Sequence, residues 1–289
     1  MSIALQVALV MVTILVVLLV IGAPIGVAIG MSSAVSMICM IPADVSFATS
    51  AQRIFAGSNS FSLIAIPFFI LAGNIMNNGG IATRLVNCAK VISGRMPGAL
   101  AQSNVVANML FGAISGSGAA AAAAMGGTIG PLEEKEGYDK NYSTAVNVAS
   151  APVGMLIPPS NTMIVYSSVA GSVSIAALFM AGYIPGLLWG GAVMILAGIM
   201  AKKRGYQAEE RVTFKIAMKT FWQAIPSLLL IVIVIGGILG GIFTATEGSA
   251  IAVVYATVLS LIYKAFKIKD IPRIVLEAAK TTGIITFMI

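Results

Sequence analysis

The chain has 289 residues, 58% of them hydrophobic and 9% charged, against roughly 25% charged residues in an ordinary soluble domain. That composition excludes a water-soluble fold. With no His and only two cysteines, Cys39 and Cys88, it also excludes a disulfide framework or a Cys/His zinc site, and no G-x-x-x-x-G-K-[ST] phosphate loop is present to make ATP the energy source through that motif.

The net charge of +7 does not point to nucleic acid, because the basic residues are gathered into short segments between long uncharged ones. Such a layout belongs to an integral membrane protein with basic loops in the cytoplasm. The first apolar run, Ile3 to Ile41, contains no charged residue and breaks at Gly22-Ala23-Pro24. It lacks a basic n-region and a small-residue cleavage site, so it reads as a membrane anchor that stays. A crossing needs about 20 helical residues, so a run of this length crosses twice or bends. A loop over 42–60 follows, then an apolar span from Phe61 to Met76 carrying Pro67, and a loop with Arg84, Lys90 and Arg95.

The next tract, Leu100 to Pro131, divides at Ser115-Gly116-Ser117-Gly118 into two arms. At 1.5 Å per residue each arm is about 20 Å long, too short to span a core of about 30 Å. A re-entrant hairpin fits, and its tip should line a site, since non-helical backbone at membrane depth is tolerated only inside protein or at a cavity. The alternative is small-residue packing, through the run Ala119 to Ala124, within one ordinary helix. A Pro-broken stretch over 142–180, a plain span from Tyr183 to Ala201, and a segment Lys202 to Lys219 with six basic residues and the acids Glu209 and Glu210 come next. The second long run, Ile225 to Tyr263, breaks around Gly240-Gly241, and the chain ends on an apolar helix beginning near Thr281.

Orientation follows from the basic segments. With Lys202 to Lys219 inside, and 100–131 entering and leaving on one face, every strongly basic segment falls on the cytoplasmic side and the N-terminus lies outside. The two long runs then begin on opposite faces and each breaks near its middle, the outline of an inverted-topology repeat. The chain accordingly divides into scaffold helices over 1–60, a transport region over 61–182, a connecting span and basic segment over 183–224, and the opening of a second repeat over 225–289. That second repeat lacks a counterpart of the hairpin and broken helix, which reads as truncation.

Chemistry concentrates at Leu156-Ile157-Pro158-Pro159-Ser160-Asn161-Thr162. The two prolines cannot continue a helix interior, so the carbonyls from about Gly154 to Ile157 lose their partners. Ser160, Asn161 and Thr162 begin a second half-helix, with hydroxyls, an amide and free N–H groups at the positive end of its dipole. One break thus offers a cation site of carbonyls and hydroxyls beside an anion site of donors, the arrangement by which broken helices hold sodium and a carboxylate. A simple Pro kink is the alternative. Glu247, the one acid inside a long apolar run, either lines a site or caps the helix starting near Gly248. Tyr138, Trp189 and Trp222 read as interface anchors.

These residues carry a family resemblance. Gly112 to Ser117, Pro131 through Gly137-Tyr138-Asp139, Leu156 to Asn161, Ser174 to Gly186, and Phe61 to Gly80 with Ile66-Pro67-Phe68-Phe69 resemble the large permease (DctM-type) subunit of tripartite ATP-independent periplasmic (TRAP) transporters. The resemblance covers the whole chain. It implies an all-α polytopic membrane fold of the elevator type, in the inner membrane of a bacterium. It also implies sodium-coupled uptake of an organic acid, a small DctQ-type membrane subunit and a soluble periplasmic DctP-type binding protein. By motif, a first sodium site falls on Ser115, Ser117, Gly154, Ile157 and Pro159, and a second near Thr244 and Thr246. Pro158, Ser160, Asn161 and Thr162 are the candidates to face the anion. The Asn147 to Asn161 segment looks more like sialic-acid members than dicarboxylate members. No cofactor is implied beyond sodium as coupling ion, and no enzymatic nucleophile, base and orienter combination is visible. An uncoupled pore and a non-transporting scaffold subunit are the rival readings.

Overall fold

The computed structural model describes residues 3–171, 173–206 and 214–288, and every regular element among them is helical. Arg211, Glu209 and Glu210 of the basic segment lie outside the described residues. The chain groups into two units, one of residues 1–61 and 280–289, the other of residues 62–279.

In the first unit, α1 (Ile3–Val20) ends where Ala23 N–H bonds back to the Leu18 carbonyl and Gly22 turns through φ +87°. Pro24 then precedes α2 (Ile25–Met37), so the first apolar run breaks at the Gly-Ala-Pro sequence, where no L side chain or N–H is required. No residue of α1 is buried, as for a helix solvated by lipid. The segment expected as a loop over 42–60 is instead α3 (Ala43–Ser58), entered from Pro42 with Asp44 in its first turn and tied to α2 by Ser46 Oγ donating to the Ala34 carbonyl at 2.7 Å. Hydropathy missed it because it is too polar for a span. Its start signal, Pro followed by an acid, was present in the sequence.

In the second unit a 3-10 turn, Phe61–Ile64, leads into α4 (Ala65–Asn78). The Arg84–Arg95 segment, expected as a loop, is largely α5 (Ile81–Ser93), with Ile81, Leu85, Val86 and Ala89 buried. The Arg84 guanidinium lies 3.4 Å from the ring centroid of Tyr263, a cation–π contact that lets a basic residue sit on a packed helix. Then come α6 (Ala99–Ser115), α7 (Gly118–Thr128), α8 (Gly130–Lys135), α9 (Lys140–Ser150), α10 (Val153–Leu156) and α11 (Asn161–Ala170). They are followed by α12 (Ile175–Arg204), α13 (Phe214–Leu239), α14 (Ala245–Ile262) and α15 (Ile271–Met288).

The span expected from Tyr183 begins earlier. Helix α12 starts at Ile175, where Ser174 caps it by accepting from Ala177 N–H, and it runs through Pro185 without ending. The Pro-broken stretch therefore closes at Ala170 rather than 180. Tyr138 is not an interface anchor: it is 8% exposed and stacks on Tyr206 with ring centroids 4.2 Å apart. The core below the hairpin joins Leu100, Val105 and Phe111 of α6, Met125 of α7, Tyr142 of α9 and Ala197 and Ala201 of α12. At its edge Asp139 caps α9 and pairs with Arg204 at 3.0 Å. The Tyr142 N–H, and after it the Arg204 guanidinium, hold the Asp139 carboxyl below its usual range.

Among the described residues five helices, Ile3–Val20, Phe61–Asn78, Ile175–Arg204, Lys215–Leu239 and Ala245–Ile262, are long and apolar enough to cross a membrane. The pair Lys140–Leu156 and Asn161–Ala170, bent by 50°, makes a sixth if read as one broken span. Helices α6 and α7, at about 25 and 16 Å, are shorter than a hydrocarbon core of about 30 Å.

Candidate ion and anion site

The hairpin is established by one side chain. Asn147 of α9 accepts from Asn108 Nδ2 through its Oδ1 at 3.0 Å and donates from Nδ2 to the Ala122 carbonyl at 2.9 Å. Asn108 precedes the turn and Ala122 follows it, so the two arms run side by side past the same amide. The reversal is made at Gly116, φ +61°, with Ser117 extended behind it. Ser117 Oγ then caps α7 by accepting from Ala120 N–H at 3.3 Å, while Ser115 and Ser117 exchange long hydroxyl–backbone contacts of 3.4 Å across the turn.

The broken helix ends in free acceptors. The last bond of α10 runs from Ile157 N–H to the Val153 carbonyl at 3.2 Å, and among the described residues no hydrogen bond ends on the carbonyls of residues 154–159. The Pro158–Pro159 bond is cis. On the far side Ser160, fully buried, caps α11 by accepting from Met163 N–H at 3.4 Å. The new helix therefore starts with its dipole's positive end directed at the break.

Tip and break meet. Asn161 Nδ2 lies 3.5 Å from the Ser115 carbonyl, and a methyl built on Gly116 would come within 3.0 Å of both nitrogens of Asn161. One turn behind the tip Gly112 packs directly on Gly154, a contact that no side chain could share. Gly73 of α4 admits Ser115 in the same way, its missing Cβ position lying 3.0 Å from Ser115 Cβ. Opposite, Gly182 and Gly186 of α12 let that helix lie against Leu156 and Ile157. Gly112, Ser115 and Gly116 of the hairpin thus meet Gly154 and Asn161 of the break, from two motifs far apart in sequence. Asn161 is 5% exposed, and its Oδ1 has no hydrogen-bond partner. Thr162 lies on the exposed side, its hydroxyl 3.8 Å from Met155 Sδ.

Thr244, Thr246 and Glu247 lie apart from this locus. Gly79 at the end of α4 packs on Ser260 near the end of α14, and Leu71 and Ile75 share a cavity with Val253 and Thr257, so the two helices run in parallel. On that register Thr244 sits about 16 Å along α4 from the level where Ser115 rests on Gly73. Glu247 takes the capping role: its Oε2 accepts from Thr244 N–H at 2.8 Å, and Thr244 Oγ1 accepts from Glu247 N–H at 3.2 Å.

Reading the sequence for breaks missed the asparagines that hold the hairpin. Asn108 Nδ2 lies 2.9 Å from Asn104 Oδ1 on its own helix, and 3.0 and 2.8 Å from Asn147 Oδ1 and Ser150 Oγ of α9. The signal was available: two asparagines four apart in an uncharged arm are polar groups that lipid does not solvate, so they need protein partners.

The family model of the DctM component of the tripartite ATP-independent periplasmic transporter matches residues 12–289. The chain belongs to that family. It is 50% identical over 258 residues, 89% of its length, to the uncharacterized protein YgiK of Salmonella typhimurium. It is 38% identical over 83% of its length to the sialic acid TRAP transporter large permease protein SiaM of Vibrio cholerae, and 37% identical over 83% to the C4-dicarboxylate TRAP transporter large permease protein DctM of Rhodobacter capsulatus. The chain spans 59%, 56% and 58% of the lengths of these three proteins.

Proposed function

We propose that this chain is the membrane permease part of a sodium-coupled secondary transporter that takes up an organic anion. The single observation that carries the reading is the meeting of the hairpin tip with the broken helix. Hydroxyls and unpartnered carbonyls, the ligands a hard monovalent cation takes, stand beside the start of α11, where Ser160, Asn161 and the first N–H groups favour an anion. Ser115 and Ser117 with the carbonyls of Gly154, Ile157 and Pro159 would hold the first sodium ion. A second would sit near Thr244 and Thr246, and Pro158, Ser160, Asn161 and Thr162 would border the anion. Coupling is electrostatic: sodium neutralises the carbonyl cluster, and the carboxylate binds more readily beside it.

In this reading the hairpin and broken helix move together as part of an elevator-type transport region built on inverted repeats, with the N-terminus outside the inner membrane of a bacterium. A DctQ-type small subunit and a DctP-type periplasmic binding protein complete the system. Relatives named for sialic acid, C4-dicarboxylates and isethionate, the last 40% identical over 81% of this chain, bracket the substrate as a small organic anion. Within that class sialic acid is preferred, on the Asn147 to Asn161 segment.

The test is reconstitution of the full permease with its small subunit and binding protein in liposomes, with radiolabelled sialic acid, succinate and isethionate. Uptake is expected only with an inward sodium gradient. Uptake indifferent to sodium would make the chain an uncoupled pore, and no uptake of any organic acid would overturn the reading.

A further inference from the structure

A cavity of about 370 Å³ lies at the open end of the hairpin, bordered by Asn104 of α6, Gly126 of α7, Glu133 of α8, and Ser143 and Asn147 of α9. Glu133 is only 1% exposed, and neither carboxylate oxygen has a hydrogen-bond partner. The Asn104 side-chain nitrogen and the Ser143 hydroxyl, from residues on the same cavity and beside the Glu133 carboxyl, are buried without closing a well-formed hydrogen bond. Three buried polar side chains gathered in this way call for a further partner, because such groups are otherwise paired by protein or ordered water.

The charge on Glu133 also needs an answer. The ion pairs among the described residues are Arg204–Asp139 and Arg273–Glu277, so no described basic side chain lies within 4.0 Å of Glu133. A bare carboxylate at such burial is strongly disfavoured. Something with a single positive charge must join it.

We propose that this cavity is a monovalent-cation site, distinct from the hairpin tip, in which the Glu133 carboxyl takes up either a proton or a sodium ion in the same place. When the cation leaves, the Asn104 amide, the Ser143 hydroxyl and cavity water stabilise the carboxylate. Burial pushes the Glu133 carboxyl up to about 7, against a pull downward from Ser143 and Asn104, so the exchange falls in the neutral range. The charged surroundings do not displace it. Helices α6 and α7 carry no titratable group, and α8 adds Glu134, on the cavity, and Lys135. Lys140 of α9 and Tyr138 border the cavity, Tyr142 packs behind Tyr138, and Arg204 of α12 is committed to Asp139. The site rests on none of the residues assigned to sodium at the tip, so its test does not depend on transport.

The test is infrared difference spectroscopy of the full permease complex, titrated from about pH 5 to about pH 9. A protonated-carboxyl band is expected to disappear with a midpoint near 7 and to be absent in Glu133→Gln. In Ser143→Ala the midpoint should rise by about one unit, since a donor that favours the charged form is gone. Repeating the titration in sodium and in choline separates the two cations. A lower midpoint in sodium is expected, because the ion competes for the carboxylate, and an unchanged one overturns the assignment of the site to sodium. No carboxyl titrating between about pH 6 and pH 8, or the same band persisting in Glu133→Gln, overturns the proposal. The wild-type and Ser143→Ala titrations decide the matter even if Glu133→Gln does not fold.

Discussion

Two breaks interrupt apolar helices in the second unit, and they differ in how far their partners lie along the chain. Between α13 and α14 the chain closes on itself: Ile242 and Phe243 N–H both return to the Gly237 carbonyl, Gly241 N–H to Ile238, and Thr244 with Glu247 forms a reciprocal cap. The N–H groups of residues 240–244 all find partners within a few residues, although among the described residues no hydrogen bond ends on the carbonyls of residues 239–243. Between α10 and α11 the two prolines offer no N–H, among the described residues the carbonyls of residues 154–159 find no partner, and Asn161 at the start of the new helix reaches Ser115, 46 residues away. A break that closes locally is a structural corner. One that leaves acceptors facing a second non-helical turn is prepared to bind something.

The comparison can be broken most severely at the packing that brings tip and break together. Gly154→Val places a branched side chain against Gly112 and the Asn108 carbonyl. Overpacking there should cost about 1–3 kcal/mol or more and abolish sodium-dependent uptake, whereas Gly241→Ala, strained by φ +70° but with open space around it, should leave uptake intact. Equal loss in both variants would erase the distinction. Next, Ser115→Ala combined with Ser117→Ala should raise the sodium concentration for half-maximal uptake by about tenfold or more, the equivalent of about 1.4 kcal/mol in ion binding. Unchanged sodium dependence would assign the tip to packing alone.

The 154–162 segment holds no titratable side chain, so neutral-range pH dependence should come from elsewhere. Because the folded state raises the Glu133 carboxyl from 4.5 to about 7, it binds a proton more tightly than the unfolded chain does. The associated stability is full below about pH 4.5 and is lost as pH rises through about 7, up to about 3 kcal/mol in all. The melting temperature of the purified permease should therefore fall between about pH 4.5 and about pH 7 and level off above that, and the slope should flatten in Glu133→Gln. The smallest effect belongs to the self-closing corner. Glu247→Gln weakens one cap by about 0.5–1 kcal/mol, visible as a melting shift of a few degrees with uptake unchanged. A large loss of uptake would instead return Glu247 to the list of site residues.

Much of this was legible in residue order. The breaks at Gly22-Ala23-Pro24, Ser115-Gly116-Ser117, Pro158-Pro159 and Gly240-Gly241 all fall where the structure interrupts its helices, because Gly and Pro act on the backbone of their own neighbourhood. The span read from Tyr183 is the body of a longer helix, α12, which starts at Ile175 and runs through Pro185. A proline within a long helix costs one local bond, which packing against Leu156 and Ile157 outweighs. Helices α3 and α5 were taken for loops because a search for spans weighs apolar content, not the periodicity of a half-buried helix.

What the sequence determined by itself was the membrane class, the family, the positions of the breaks and the kinds of ligand atoms they release, all consequences of composition or of bonds lost within a turn or two. What only the tertiary structure decided was partnership: that Asn147 clasps both arms of the hairpin, that Asn161 meets Ser115, that Glu247 turns to its own helix cap, and that Glu133 is enclosed with Asn104 and Ser143. Those outcomes depend on which distant segments share a space, and in a chain held by small-residue packing that is set by backbone approach at glycines such as Gly112 and Gly154 rather than by any pattern readable along one helix.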